Sequence, residues 1–585
     1  MQTVIDVRIE ALLADAPGFW RRDACGVTRS EREIPVLRHG AARPAAGARL
    51  HLVLVGGLSG RREDMEAALA ALDAYRAAPG LAARFALSAV PCGNPDGLAL
   101  GVAPGNGAGG NPGGGYPPAG ESYYDANPEA HYLWRWVSFE GPDLVLEIRV
   151  GAGAKWEASA PCLELLSQLR AVLDATKLPA DGSLLGALAE GEPNRLPPVL
   201  GLRLTCAAAE LEGELAKLWT VLAQVPDHAR SPTRGALQAR AARTPVEVAR
   251  ILAGVYGHEL EPVIYTQGVA VSGRMRLAEL DPESADPAAA IAAMVAPYMA
   301  GERAWFAEGG DGGANLAGLV WADELAASTG DGRYAEVLID TADRYRARGG
   351  GGVPAPSHPD YQVEDMFFSA AVLGRAFRLS GDESYLEILT RFLLEAGVQQ
   401  ADGLFWHDRR TPFYWGRGNG FAALSYAETL TYLPEGHAAR AALLAVHRRH
   451  LEALQGYQHS SGMWHQVIDA PGSYLEFSVT CMVGYALARG LRLGWLDAGF
   501  CETLTRAWQG VAARIDDGGA LVDVCTGTGV QQNLRGYLDR PAIFGLDERG
   551  GALSLWFVTE MESICETVDT VVRTPTGNRP PATDH

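Results

Sequence analysis

Basic charge is scarce in this chain. Fifty Lys and Arg stand against 70 Asp and Glu, a formal net charge of −20 at pH 7 over 585 residues. That balance argues against a nucleic-acid partner, whose binding surface would be basic. It leaves an anionic small substrate open, because local arginines decide that case. Cysteine is sparse and scattered, at 25, 92, 162, 206, 481, 501, 525 and 565. None of these forms C-x-x-C or another metal-ligand spacing, so free thiols in a reducing compartment are expected rather than a disulfide framework or a cysteine-held metal. No apolar run reaches membrane-spanning length. The first residues, MQTVIDVRIEALLADAPGFW, are mixed and acidic and lack a basic segment followed by an apolar one. The expectation is a cytoplasmic protein with no membrane partner.

What is present is globular: 48% hydrophobic and 21% charged residues. The length exceeds one ordinary core, so two or more domains are expected. In the N-terminal part HLVLVGG (51–57) reads as a buried strand ending in a glycine turn, and REDMEAALAALDAY as the helix that follows. FALSAVPCGNPDG reads as strand and turn, and DLVLEIRV (143–150) as another strand. Strand, helix, strand in this order predicts an α/β domain with a largely parallel sheet. The glycine-rich PGNGAGGNPGGGYPP (104–118) lacks the Lys-Ser/Thr ending of a phosphate loop and reads as a mobile loop. Residues 155–222 read as a helical extension, and the polar stretch 226–245 as the domain boundary.

LVGGLSGRRE (54–63), PCGNPDG (91–97) and PEAHYLWRWVSFEGPDLVLEIRV (128–150) resemble the zinc carboxypeptidase-like (M14) family. In that family the first turn carries His-x-x-Glu and the last strand ends in a third zinc-binding His. Here Ser59 stands in place of the first His, Arg62 in place of the Glu with Glu63 one position away, and Arg149 near the third His. An arginine cannot be a zinc ligand. The resemblance implies the fold without the metal, and a structural or binding role for this part.

From about residue 246 one helical pattern follows another, as in MFFSAAVLGRAFRLS, YLEILTRFLLEAG and VTCMVGYALARGLRLG. TGDGRYAEVL (329–338) repeats as SGDESYLEIL (380–389), about one helical hairpin later. In each copy Gly is expected to cap one helix and Asp to start the next. Repeated hairpins suggest a ring of paired helices, although an open solenoid would share the pattern. His447 and His450 lie on a basic helix and are expected to be solvated.

Aromatic, His, Arg and acid residues crowd into three turns: HPDYQVEDMFF (358–368), DGLFWHDRRTPFYWGRGNGF (402–421) and SGMWHQVIDAPGSYLEF (461–477). Flat aromatic faces, polar side chains and a carboxyl suit a sugar site. Asp365 starts a helix and is followed by Met366, Phe367 and Phe368. It reads either as a first-turn charge or as a desolvated carboxyl with a raised pKa.

Residues 245–560 resemble glycoside hydrolase family 105, the unsaturated rhamnogalacturonyl hydrolases, and more distantly the unsaturated glucuronyl hydrolases of family 88. The resemblance rests on Ile264-Tyr265-Thr-Gln-Gly268, HPDYQVEDMFF, GLFWH (403–407), WGRGNGF (415–421), GMWHQVIDAPGSYLEFSVTCMVGYALARGLRLGWL, CTGTG (525–529), YLDRP (537–541) and GALSLWFVTE (551–560). It implies an (α/α)6 barrel after the α/β part. The expected layout is 1–225 carboxypeptidase-like, 226–245 linker, 246–570 barrel and 571–585 flexible tail. The implied reaction hydrates the 4,5 double bond of a terminal unsaturated uronic acid on an anionic oligosaccharide, with no cofactor. Asp365 matches the catalytic acid/base; His407, Trp415, Arg417, His465 and Gln466 match positions around the sugar, with Arg417 set to pair with the uronate. Asn419 reads as a turn residue.

The family's Trp positions hold Val363 and Phe421, and the segment before the helix at 316–327 offers only Asp311 as a second acid. Two alternatives remain: a sugar epimerase or isomerase using His407 and His465, or a carbohydrate-binding protein without catalysis.

Overall fold

The computed structural model describes residues 3–39, 49–120, 123, 125–169, 173–190, 193–226, 231–307, 310, 312–349 and 352–573. Asp311 and most of the expected tail lie outside the described residues.

The N-terminal region is an eight-stranded sheet of β1 (Trp20–Val27), β2 (Glu33–His39), β3 (Leu50–Val55), β4 (Phe85–Val90), β5 (Leu144–Val150), β6 (Lys155–Ala158), β7 (Ala175–Lys177) and β8 (Gly201–Cys206). The order is β1-β2-β4-β3-β5-β8-β6-β7. The central strands β4, β3, β5 and β8 are mutually parallel; β1 and β2 run against their neighbours, and β6 runs against β8 but parallel to β7. All six residues of β3 are buried, as a strand covered on both faces requires. Its alternation divides two cores. Leu50, Leu52 and Leu54 join the helices Arg62–Arg76 and Leu211–Leu222 on one face. Val53 and Val55 join the helix Pro128–Glu140 on the other, in a core continuous with that of the C-terminal helices.

Residues 155–222 hold the expected helices at Ala160–Gln168 and Leu211–Leu222 but are not helical alone. They contribute three strands, and β8 inserts beside β5. The pattern GLRLTC hides its strand because Arg203 stands in the middle. That arginine is 2% exposed, and its charge is met by Glu147 (3.1 Å), Glu157 (3.5 Å) and Asp181 (3.2 Å). The stretch 226–245 contains the helix Pro232–Ala241, N-capped by Ser231 and holding Thr233, Arg234 and Leu237 buried.

In the C-terminal region the helices Tyr265–Leu280, Val363–Ser380, Gly416–Tyr432, Phe477–Arg492 and Glu548–Arg573 pack on one another in a cycle. The short helix Gly313–Leu316 and the 3-10 turn Ala317–Leu319 close it between Val363–Ser380 and Tyr265–Leu280. The closed solution, not the open solenoid, is observed. Inner helices are buried nearly all round: in Gly416–Tyr432 every residue from Gly416 to Leu430 is buried. Outer helices bury one stripe, as Cys501–Ala512 does through Thr503, Leu504, Ala507, Trp508 and Val511. The repeated turns behave as expected. Gly330 and Gly381 both sit at φ 72°, which a side chain resists, while a Cβ there would meet nothing. Asp331 then accepts from Arg333 N (3.1 Å) and Asp382 from Ser384 N (3.0 Å).

The two regions meet closely. A Cβ on Gly472 would lie 2.6 Å from Gly26 O of β1, so glycine is required there. Tyr123 stacks on Tyr474 at 5.2 Å, and His459 Nε2 lies 2.9 Å from Asp23 Oδ2. Among the described residues, no helix is long and apolar enough to cross a membrane.

Candidate active site

The inner helices all begin at one end of the ring. Tyr265, Gly313, Glu364, Asp365, Arg417 and Glu476 stand at or beside those starts. Turns from the intervening connections cover them: His407 and Trp415, the hairpin of β9 (Trp464–His465) with β10 (Leu475–Glu476), and the hairpin of β11 (Leu521–Cys525) with β12 (Ala542–Gly545).

Asp365 is 8% exposed, and its Oδ2 accepts from His358 N at 2.7 Å. The Cα of Gly313 faces it: a Cβ there would lie 3.2 Å from Asp365 Oδ1. Burial raises its pKa to about 7; the neighbouring Glu364 carboxylate adds to the rise, and the His358 hydrogen bond opposes it. Aromatic rings wall this end, with Tyr265, Phe368 and Phe421 mutually 5.2 to 5.6 Å apart.

Glu364, the next carboxyl on the same helix start, is held by a histidine. His407 Nε2 lies 3.0 Å from its Oε1, and His407 Nδ1 lies 2.6 Å from Tyr537 Oη. Gln531 N donates to that same phenol oxygen at 3.2 Å. The phenol proton is therefore left for Nδ1, and Nε2 carries the ring proton and donates it to Glu364. Trp415 packs on His407 at 4.5 Å and is 1% exposed, so it holds the imidazole rather than offering an open face.

Arg417 donates from both Nη atoms to the backbone, to Cys525 O and Thr526 O. Its fork pins the β11 end, and its charge lies beneath Trp415 at 5.1 Å. Gln466 Nε2 donates to Cys525 Sγ at 3.1 Å. His465 points away. Successive strand residues face opposite sides, and its ring lines a cleft between the two regions, with Nδ1 donating to Ser473 O at 2.7 Å. Burial, then the nearby His459, depresses it to about 4, so it is neutral. The structure thus gathers Asp365, His407, Trp415, Arg417 and Gln466 and separates His465. The epimerase alternative, which needed His407 and His465 facing one substrate, loses its pair.

Several buried polar atoms at this end have no hydrogen-bond partner among the described residues: Glu364 Oε2, Trp415 Nε1, Arg417 Nε, Gln466 Oε1 and Tyr345 Oη. Each such atom costs roughly 1–3 kcal/mol, which a fold tolerates where a ligand or water completes the bond. Asn419 is different. Its Oδ1 accepts from Phe405 N (2.9 Å) and its Nδ2 donates to Phe405 O and Trp415 O (both 3.0 Å), stapling two turns. His447 and His450 are buried, not solvated: their helix turns them inward, His450 lies 4.6 Å from the Phe405 ring, and burial depresses His447 to about 3.

In the α/β region the turn that resembles a zinc site is internally paired. Ser59 Oγ donates to Asp64, Arg61 Nη2 reaches Asp64 Oδ2 (3.1 Å), and Arg149 Nε donates to Glu147 Oε1 (2.5 Å). Glu63 and Arg62 lie on the helix Arg62–Arg76, and Arg62 approaches Glu66 at 3.7 Å.

Comparison with known proteins adds a family. Residues 409–565 match the sequence model of Glycosyl Hydrolase Family 88. The chain is 31% identical over 128 residues to "Unsaturated rhamnogalacturonyl hydrolase YesR" of Bacillus subtilis (strain 168), covering 22% of this chain and 36% of that protein. It is 26% identical over 172 residues to "Unsaturated 3S-rhamnoglycuronyl hydrolase" of Alteromonas sp. (strain LOR), covering 27% of this chain and 42% of that protein. The chain therefore spans less than half the length of either relative. Among solved structures, a C. acetobutylicum ATCC 824 glycoside hydrolase from family 105 superposes with TM-score 0.48 at 20% identity, covering 54% of this chain and 99% of that one. Residues 409–565, within the helical C-terminal part of the chain, are a Glycosyl Hydrolase Family 88 domain.

Proposed function

We propose that the helical region is an (α/α)6-barrel glycoside hydrolase that hydrates the 4,5 double bond of a terminal unsaturated uronic acid on a short oligosaccharide. The observation that carries this reading is Asp365: a carboxyl buried in an aromatic pocket, held near pKa 7 and without a cationic partner among the described residues. Such a group is half protonated at neutral pH and is matched to proton delivery.

In the reaction Asp365 gives its proton to C4 of the enol ether. Positive charge develops over C5 and the ring oxygen, and water adds at C5. The resulting hemiketal opens to a ketone at C5 and a hemiacetal at C1, and that hemiacetal breaks down to the aldehyde, releasing the adjoining sugar through its own hydroxyl. Arg417 supplies positive potential for the uronate from beneath Trp415, and the Gln466 carbonyl oxygen is placed to accept from a hydroxyl. The names of the two relatives, both hydrolases of unsaturated uronyl sugars, support the substrate class. The α/β region serves as a carboxypeptidase-like body without the zinc ligands, structural or binding in role.

The test is the decay of the ultraviolet absorbance of the conjugated double bond, on a panel of lyase-generated oligosaccharides. Decay with the wild type that vanishes in Asp365→Asn is expected. No decay on any unsaturated uronide leaves the carbohydrate-binding reading.

A further inference from the structure

We infer that the reaction at this site is divided between two neighbouring carboxyls, with Asp365 delivering the proton and Glu364 taking one from the attacking water. The inference rests on the proposed hydration and goes beyond it, since one carboxyl acting twice would satisfy that proposal.

Four observations support it. Glu364 and Asp365 are consecutive residues of the first turn of Val363–Ser380, so their side chains diverge by roughly 100° around the helix. They therefore address different atoms from one anchored backbone. Their partners also differ in kind. Asp365 has one hydrogen bond, from a backbone N–H. Glu364 is held through Oε1 by an oriented chain, Gln531 N–H to Tyr537, Tyr537 O–H to His407, His407 N–H to Glu364.

That chain turns the two oxygens of Glu364 into different groups. Oε1 is occupied, and Oε2 is a buried acceptor with no partner among the described residues. An acceptor in that condition is a place for an O–H donor. The side chain is 14% exposed, enough to meet a water entering beside the sugar. Finally, Gly313 leaves the space before Asp365 without a side chain.

The protons balance. Asp365 loses one to C4; water gives hydroxide to C5 and its proton to Glu364 Oε2. The pair ends with its protonation exchanged, and solvent resets it. His407 keeps its proton on Nε2 throughout and acts as a positioning residue.

The experiment compares wild type, Glu364→Gln, Glu364→Ala and Tyr537→Phe in the full chain, on a disaccharide ending in a 4,5-unsaturated uronate. Glu364→Gln is expected to lower kcat by about 10²–10³-fold with little change in KM. Formate, a small external base, should restore part of the activity of Glu364→Ala and none of that of Asp365→Asn. Removing the Glu364 charge also lowers the pKa of its neighbour, so the alkaline limb of the residual activity should move to lower pH. The alkaline loss of thermal stability that Asp365 causes should move with it, a readout independent of turnover.

Tyr537→Phe keeps both carboxyls and frees His407 Nδ1. It should show a smaller loss in kcat and no response to formate, and it covers the case in which the Glu364 variants fail to fold. An active wild type with a Glu364→Gln variant of nearly full kcat overturns this inference alone. So does a loss in Glu364→Ala that formate does not touch while the alkaline limb stays in place. A wild type inactive on every unsaturated uronide overturns the hydration reading and this inference together.

Discussion

The two ends of the helical ring are made from opposite ends of the same helices, and they treat buried carboxyls in opposite ways. Where the inner helices finish, a cleft of 640 Å³ is lined by Arg276, Arg378, Arg489 and Arg492 with Asp323, Glu324 and Glu560. Guanidiniums belong there, beside the carbonyl ends of the helix dipoles. They also take up the acids: Arg375 holds Glu428 (2.8 Å), Arg276 holds Glu324 (3.0 Å), and Arg489 and Arg492 share Glu560 (2.6 and 2.7 Å). Where the inner helices start, Asp365 and Glu364 have no guanidinium partner among the described residues; their partners there are a backbone N–H and an imidazole. Burial pushes both Glu428 and Asp365 upward. At Glu428 the guanidiniums of Arg375, Arg489 and Arg276 overcome it and hold the group at about 2. At Asp365 nothing overcomes it, and the group stands at about 7. Burial acts on both carboxyls alike, and the guanidiniums make the difference between them.

The largest effect separating the two ends is expected from Asp365→Asn. Activity should fall by about 10²–10⁴-fold, measured as double-bond loss. Stability should respond in the other direction. The folded-state pKa of Asp365 lies above its ordinary 3.8, so the group costs the fold nothing below that value. Its ionisation destabilises the fold increasingly as pH rises through about 7, by up to ~4 kcal/mol. Melting curves across this range should decline in the wild type, and decline less in Asp365→Asn. In the active wild type, turnover should fall above about pH 7 as the acid loses its proton; a profile flat to higher pH would remove Asp365 from that role.

Glu428→Gln inverts the pattern. It takes from the buried Arg375 its nearest carboxylate (2.8 Å), leaving Asp323 at 3.5 Å, and should cost ~3–5 kcal/mol in denaturant unfolding, with activity per folded molecule unchanged. If that variant instead lost activity at full stability, the contrast between the two ends would break. Asn419→Ala sharpens the contrast from the reactive side. Asn419 sits among the candidate site residues but has a completed set of hydrogen bonds, so its loss should appear as about 1–3 kcal/mol of stability with kcat in the folded fraction retained. The smallest effect is expected at the saturated end. Gly381→Ala puts a Cβ on a left-handed helix cap in open space and should cost about 1 kcal/mol, seen as a small shift in Tm.

Much of this was legible in local sequence, for identifiable reasons. The TGD and SGD turns declared themselves because a left-handed cap needs glycine wherever it occurs. The β3 strand announced its burial through the apolar run LVLV. β8 did not, because Arg203 interrupts its run and its three carboxylate partners come from distant positions. His447 and His450 read as solvated because their helix is basic, and helical spacing alone does not say which face turns inward.

At the site, the sequence by itself determined the helix start with two acids, the His, Trp and Arg turns, and the Family 88 segment, since these are fixed by residue type and spacing. Tertiary structure alone decided what each residue does there. It sent His465 and Gln466 to opposite sides of the chain at the end of β9, spent the Arg417 fork on the backbone at the end of β11, and brought Tyr537 130 residues along the chain to His407. It also withheld a guanidinium from Asp365 while supplying several to Glu428. The physical reason is common to all four. Hydrogen-bond partners and desolvation are properties of three-dimensional neighbours, and in a closed ring the neighbours of each helix start come from other turns of the chain.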